Sequence, residues 1–200
     1  VEASLSFATV NGENYLLAIV RDISERKASE KAFIDELRRD PLTKLPNRAV
    51  LDDRLGQIIL DAKQGDRLVI AVYVDIDNFK QINDTYGHVI GDGVLVTTAK
   101  RLGNCIRRSD IVTRLGGDEF LIVLTDIASL EIVSSITDKL VIEFKQPFNI
   151  SGTLVDVNAS MGVVKLGTEH DNAIKLIDAA DRAMYRAKAK VGTHIEYVNC

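Results

Sequence analysis

Apolar positions along this chain recur with a period near two in some stretches and near 3.6 in others, and the changes of period mark its elements. Residues 1–24 read as two strands, "LSFATV" and "YLLAIVRDI", around "NGEN", where Asn11-Gly12 is a strong hairpin signal. Two strands alone are not a stable unit. They are expected to close a truncated upstream domain or to pair elsewhere. Residues 24–39, "SERKASEKAFIDELRR", are charged and helix-favouring, with Ser24 as candidate N-cap and a thin apolar stripe of Ala28, Phe33, Ile34 and Leu37. The stripe fits an exposed connecting helix or a short parallel coiled coil between two subunits. It is too short to choose, because heptads need several repeats. Asp40-Pro41 is expected to end this helix, and "PLTKLPNR" reads as a tight connector.

A helix is predicted over 48–63, with Leu51, Leu55, Ile58 and Ile59 on one face and Gly65-Asp66 as its breaker. "RLVIAVYVDID" is a valine- and isoleucine-rich run, expected as a central strand. Helices at 79–85 and 91–104 follow, separated by Gly87 and Gly91. Strands 110–115 and 120–124 flank a Gly116-Gly117 turn, and a helix spans 129–145. Strands 153–158 and 160–166 come after a Ser151-Gly152 turn, then a helix over 171–189 and a strand over 194–198. From residue 48 the order α-β-α-α-β-β-α-β-β-α-β predicts an α/β sandwich (α+β in class) with a largely antiparallel sheet.

Composition adds bounds. The chain has 200 residues, which suits one domain plus an appendage, and 46% apolar content is enough for a sizeable core. The net charge of −4 offers no global basic field to nucleic acid or an anionic membrane. A polyphosphate ligand would need local lysines, backbone amides or a cation. Cys105 and Cys200 lack metal-ligand spacing, as do His88, His170 and His194, so a reduced cytosolic protein without a zinc site is expected. No apolar run approaches a membrane span and no signal peptide is evident. Val1 is not a start residue, so upstream sequence, with or without a membrane tether, is expected.

Chemistry concentrates in four stretches. "VDIDNFKQINDTYGHVIGD" puts Asp75 and Asp77 at the end of the central strand, where ligands bind α/β sheets. Asp75 is the candidate metal ligand and Asp77 the candidate cap of the next helix. Lys80 and the amides of that helix N-terminus suit phosphate. "TRLGGDEFLIV" holds Gly116 and Gly117, which permit a tight turn and close approach of a ligand. Its Asp118 and Glu119 are hard oxygen donors, suited to Mg²⁺ or Mn²⁺. By itself this turn reads equally as a solvated hairpin. If the strands are neighbours, Asp75 and Asp118 supply the pair that metal-assisted phosphoryl or nucleotidyl transfer uses. "RRSD" places Arg107 and Asp110 at a helix–strand boundary, as a guanine or phosphate fork or as a surface salt bridge. "DAADRAMYRAKAK" makes a small-residue face of Ala180, Ala183, Met184 and Ala187, followed by Lys188 and Lys190.

Together "DPLTKLPNR" (40–48), "DIDNFKQINDTYGHVIGD" (75–92), "RRSD" ahead of "GGDEF" (107–120), "SMGVV" (160–164) and "DRAMYRAK" (181–188) resemble the GGDEF family, the diguanylate cyclases. "VRDISERKASEKAF" resembles the junction between a PAS-type sensor and a signalling helix. The resemblance implies three regions: 1–23 as the last PAS strands, 24–39 as the signalling helix and 40–200 as the cyclase domain. It implies the nucleotidyl cyclase and polymerase-palm fold, GTP as substrate, cyclic di-GMP as product and a homodimer for activity. It assigns Mg²⁺ (or Mn²⁺) to Asp75, Asp118 and the Ile76 carbonyl, with Glu119 assisting. It assigns the guanine edge to Asn83 and Asp92, and phosphates to Phe79, Lys80 and Lys188, with Gly116 and Gly117 against the nucleotide. Arg107 and Asp110 match its RxxD product-inhibition site. One departure stands out: "AKAKVGTHI" has Gly192 where the family carries a phosphate-contacting base, so weaker GTP binding is expected.

Overall fold

The computed structural model describes every residue except Asn11, Asp66, Arg67, Asp171 and Val191, and only the backbone of Ala8, Val10, Glu13, Tyr15, Leu17, Lys31 and Lys63. The chain divides into two compact units, Val1–Arg38 and Arg39–Cys200.

In the first unit, strands β1 (Glu2–Val10) and β2 (Glu13–Arg21) form an antiparallel hairpin, with Glu2 opposite Arg21 and Val10 opposite Glu13. Of the expected Asn11-Gly12 turn, Asn11 lies outside the described residues, and Gly12 has φ 82°. Helix α1 (Ser24–Leu37) is not capped by Ser24 as expected. Ile23 holds the cap position, and the Ser24 N–H donates to Asp22 Oδ1 at 2.8 Å. The upstream acid makes the short local bond that aspartate favours, and Ser24 is thereby drawn into the helix. Phe33, Ile34 and Leu37 are all exposed.

The second unit is built on a five-stranded sheet of order β4-β5-β3-β8-β9. Strand β3 (Leu68–Ile76) is central, as its continuous apolar run predicts, and antiparallel to both β5 (Glu119–Ile127) and β8 (Ala159–Lys165). β4 (Ile111–Gly116) extends the sheet antiparallel beyond β5, and β9 (His194–Val198) runs parallel to β8 at the other edge. Alternation along β3 feeds two cores. Val69, Ala71 and Tyr73 pack with helices α2 (Arg48–Gln64) and α6 (Ala173–Lys188). Ile70, Val72, Val74 and Ile76 pack against α3 (Phe79–Tyr86), α4 (His88–Cys105) and α5 (Leu130–Lys145). The result is the expected sandwich. Helix α2 takes its N-cap from Asn47, whose side chain accepts from the Val50 N–H at 3.2 Å. It stops at Gln64, before Gly65; Asp66, the rest of the expected breaker, lies outside the described residues.

Two local expectations change. Helix α4 begins at His88, so Gly91 lies inside it rather than before it. An added Cβ at Gly91 would overlap the Asn83 amide and reach the Phe79 ring at 3.4 Å, so glycine here serves the contact between α3 and α4. Strand β6 (Phe148–Ile150) was not expected, and it pairs with β7 (Thr153–Val155) in a separate two-stranded sheet. Three residues are too few to show a period, and β7 correspondingly ends at Val155 instead of 158. Among the described residues no helix is long and apolar enough to cross a membrane, and Cys105 and Cys200 are both free.

The small-residue face of α6 is what lets it lie directly on the sheet. Ala180, Ala183 and Ala187 are fully buried, and a Cβ at Gly162 of β8 would overlap the Ala180 carbonyl and the Met184 amide. Gly162→Ala is therefore expected to cost about 3 kcal/mol or more, since helix backbone must shift to admit the methyl group. Gly103→Ala in α4 meets nothing within 4 Å and is expected to gain up to about 1 kcal/mol from helix propensity. Urea denaturation of the two variants checks both signs.

Candidate functional site

The site forms where β3 ends. Asp75 lies opposite Glu119 on β5 and opposite Ser160 on β8. The Ile76 N–H donates to the Asp118 carbonyl at 3.3 Å, which joins the strand end to the hairpin turn. Alternation places Asp75 on the same side as Tyr73, toward α6. There Lys188 Nζ stands 2.8 Å from Asp75 Oδ1. Asp75 as a whole residue is 4% exposed, and apart from this ion pair Oδ1 has no hydrogen-bond partner. Burial pushes the Asp75 pKa up to about 6; Lys188 opposes the rise, and Asp118 and Glu119 add to it. For Lys188, burial works against the charge, but Asp75, Asp118 and Asp77 outweigh it and raise its pKa. The strand end thus gathers carboxylates around one ammonium.

The hairpin that carries Asp118 has a two-residue turn, Gly117-Asp118, between the paired Gly116 and Glu119. Gly117 has φ 52°, a left-handed value at the first turn residue that favours glycine. The turn is held from outside by Arg114. Its Nε and Nη2 donate to the Gly117 carbonyl at 2.9 and 2.7 Å, and its Nη1 donates to Asp40 Oδ1 and Oδ2 at 3.2 and 3.3 Å. Asp40 also accepts from the Thr43 N–H and hydroxyl, both at 2.7 Å. Burial works against ionisation of Asp40, but the Thr43 hydrogen bonds and the Arg114 charge hold its carboxyl below the usual range. Sequence reading missed this tether. The signal available was an arginine standing just before a glycine turn, with an Asp-x-x-Thr connector elsewhere in the chain.

Asp77 does not cap the next helix. Asn78 occupies the cap position with φ 55° and makes no side-chain cap bond, while Asp77 Oδ1 accepts from Ser160 Oγ at 2.7 Å. The left-handed residue turns the chain after the strand and leaves Asp77 facing β8, where burial raises its pKa. Beyond this bend come the other expected contacts. Phe79 packs half-buried on the core, Lys80 is exposed, and Asn83 abuts Gly91, next to the exposed Asp92. Lys190 pairs with Glu196 at 3.1 Å, so it is committed away from Asp75. Gly192 has φ 90°, a left-handed value that favours glycine and would strain any larger residue there.

Arg107 and Asp110 precede β4 at the end away from the glycine turn, one six-residue strand and so about 20 Å from it. Arg107 is exposed. Asp110 is buried, its two oxygens accepting from the Arg107 and Thr125 N–H groups at 2.9 and 3.1 Å.

The donors at the strand end fit a hard divalent cation. Asp75 is a buried carboxylate whose Oδ1 is met only by the Lys188 ammonium, and Asp118 is linked to its strand. Among the described residues no three His, Cys, Asp or Glu side chains converge as a ready cage. Mg²⁺ ordinarily takes one or two carboxylates and completes its shell with substrate phosphates and water.

Residues 37–194 match the family described as diguanylate cyclase, GGDEF domain. The chain is 41% identical over 149 residues to the bifunctional diguanylate cyclase/cyclic di-GMP phosphodiesterase MucR of Pseudomonas aeruginosa, covering 74% of this chain and 22% of MucR. It is 35% identical over 191 residues to the diguanylate cyclase TpbB of the same species, covering 94% of this chain and 44% of TpbB. It therefore spans less than half the length of either relative. The crystal structure of the TpbB GGDEF domain superposes with TM-score 0.74 at 36% identity, covering 79% of this chain and 99% of that one. The coiled coil and GGDEF domain of DgcB from Caulobacter crescentus, in complex with c-di-GMP, shares the fold with TM-score 0.80 at 23% identity, over 88% of this chain and 93% of that one.

Arg114→Ala is expected to lower stability by about 1–3 kcal/mol, because it leaves the partly buried Asp40 carboxylate with Thr43 alone and the Gly117 carbonyl without its donors. Arg114→Lys restores charge without the fork and recovers part of the loss. Chemical denaturation of both variants measures this. Asp75→Asn is expected to stabilise the chain by about 1–3 kcal/mol near neutral pH. A folded-state pKa above the ordinary 3.8 makes ionisation of Asp75 destabilising as pH rises through about 6. The gain in melting temperature should fade as pH falls through about 6 and vanish near about 4. Equal melting of variant and wild type at about pH 8 would contradict it.

Proposed function

The chain belongs to the GGDEF family of diguanylate cyclase domains, and we propose that it condenses two GTP molecules into cyclic di-GMP with release of two pyrophosphates. In each half-reaction the 3′-oxygen of one GTP bonds to the α-phosphorus of the other. The bond from that phosphorus to the bridging oxygen breaks, pyrophosphate leaves, and the hydroxyl proton passes to solvent. The observation that carries this reading is the buried, lysine-paired Asp75 held by backbone hydrogen bonding beside the turn that bears Asp118.

Asp75, Asp118 and the Ile76 carbonyl would hold Mg²⁺ or Mn²⁺, with Glu119 assisting. When bound, the cation lowers the pKa of the attacking hydroxyl and offsets charge on the transferring phosphate. Asn83 and Asp92 read the guanine edge. The acid accepts from N1–H and the exocyclic amine, a pair adenine does not offer, and the seat of Asn83 against Gly91 supports the two acting together. Phe79, Lys80 and Lys188 meet the phosphates. Gly116 and Gly117 let backbone lie against the nucleotide.

One domain binds one GTP, so two domains face each other in a homodimer. Residues 1–23 are read as the end of a PAS-type sensor. Helix α1 is read as the signalling helix, whose exposed Phe33, Ile34 and Leu37 suit pairing with a second copy. GTP as substrate places the domain on the cytoplasmic side. Arg107 presents a guanidinium fork to cyclic di-GMP as feedback inhibitor, and the buried Asp110 holds that turn in shape. The distance along β4 separates this inhibition from direct competition at the strand end.

Incubation with GTP and Mg²⁺ is expected to yield cyclic di-GMP and pyrophosphate, at a rate per domain that rises with protein concentration. Asp118→Ala abolishes turnover. Arg107→Ala leaves turnover but weakens inhibition by added cyclic di-GMP. A folded, dimeric sample that forms no cyclic di-GMP would overturn the cyclase reading in favour of a nucleotide-binding signalling module.

A further inference from the structure

We propose that Lys188 is the resting counter-ion of Asp75 and must release it before a divalent cation binds, so that nucleotide and cation enter cooperatively through this one side chain. The inference rests on the reading of Asp75 and Asp118 as the cation ligands.

Lys188 lies in the last turn of α6, whose backbone is seated on β8 by Ala180, Ala183 and Ala187. The helix therefore stays in place while the long side chain reaches the strand end. Nζ touches Asp75 Oδ1 at 2.8 Å, and nothing else hydrogen-bonds that oxygen. The two partners differ in freedom: the Asp75 side chain is 6% exposed, whereas that of Lys188 is 38% exposed. The carboxylate has no other way to be charged and buried at tolerable cost, because an isolated buried charge is strongly disfavoured. The ammonium, by contrast, has an open path to solvent. Lys190, the nearby alternative cation, is tied to Glu196.

An ammonium and a divalent cation drawn to one carboxylate oxygen repel each other in a water-poor site. The cation therefore competes with Lys188. A triphosphate shifts the contest, because it offers the ammonium several anionic oxygens outside the carboxylate cluster. Once Lys188 moves to phosphate, Asp75 is left bare and ready for the cation. By linkage the cation must tighten nucleotide binding by the same factor as nucleotide tightens cation binding. A lysine that served phosphate alone would leave cation binding without nucleotide unchanged on its removal. A lysine that merely shaped Asp75 would weaken it.

The test is Mn²⁺ binding to the 200-residue chain without nucleotide, followed by electron paramagnetic resonance of free Mn²⁺. Lys188→Met is expected to bind Mn²⁺ about tenfold more tightly than wild type, and Lys188→Arg to stay close to wild type. Lys188→Gln repeats the measurement with a polar side chain, should the methionine variant fold poorly. In a second arm, the factor by which Mn²⁺ tightens binding of a fluorescent non-hydrolysable GTP analogue is expected to be smaller in Lys188→Met than in wild type, the remainder being direct contact of cation and phosphate. Mn²⁺ affinity unchanged or weakened in both neutral variants would overturn the handover. Asp75→Asn tells the two readings apart. If it binds Mn²⁺ as wild type does, the cation site itself is wrongly assigned. If it loses Mn²⁺ while the lysine variants gain nothing, only the handover fails.

Discussion

A carboxylate at the end of a strand buried on both faces sets the terms for this domain. Asp75 continues the side of β3 that carries Val69, Ala71 and Tyr73, so it emerges under α6 rather than into open water. A charge in that position is tolerable only with a cation beside it. Lys188 supplies one, and its reach depends on α6 lying close on the sheet. That closeness in turn rests on alanines along the helix and on Gly162 beneath them. A run of small residues that looks like unremarkable helix composition is thereby connected to the electrostatics of the strand end.

The hairpin is the second dependent part. The two-residue turn Gly117-Asp118 has little of its own to hold it in one shape, yet Asp118 is kept beside the end of β3. Backbone supplies part of this through the Ile76 N–H to the Asp118 carbonyl. Arg114 supplies the rest by grasping Gly117 and anchoring on Asp40, whose own loop is closed by Thr43. Asp40 lies next to the start of the second compact unit at Arg39. The chain segment that enters the domain and the turn that carries the candidate ligand thus share one arginine.

Much of this was legible in the residues. The valine- and isoleucine-rich run was expected as a central strand and is one, and the helices expected at α2, α5 and α6 survive to within two residues at each end. Their burial faces follow from side-chain direction alone. Ser24 and Asp77 were misjudged because several polar groups competed for the same local bond. Asp22 took the Ser24 amide, and Ser160, distant in sequence, took the Asp77 carboxylate. β6 went unseen because three residues carry no period. At Gly192 the structure adds a left-handed backbone to the absent base.

The order of elements other than β6, the two-sided burial of β3, the glycine turn and the identity of the candidate acids were determined by the sequence itself. These are local matters: propensity, alternation and the conformations a residue type permits. Only the tertiary structure decided which charges meet. The pairs Asp75–Lys188 and Asp40–Arg114, and the bond from the Thr125 amide to Asp110, join residues whose encounter depends on strand order and on how closely a helix can approach a sheet. No pattern along the chain encodes that distance, because it is the sum of many packed side chains lying between.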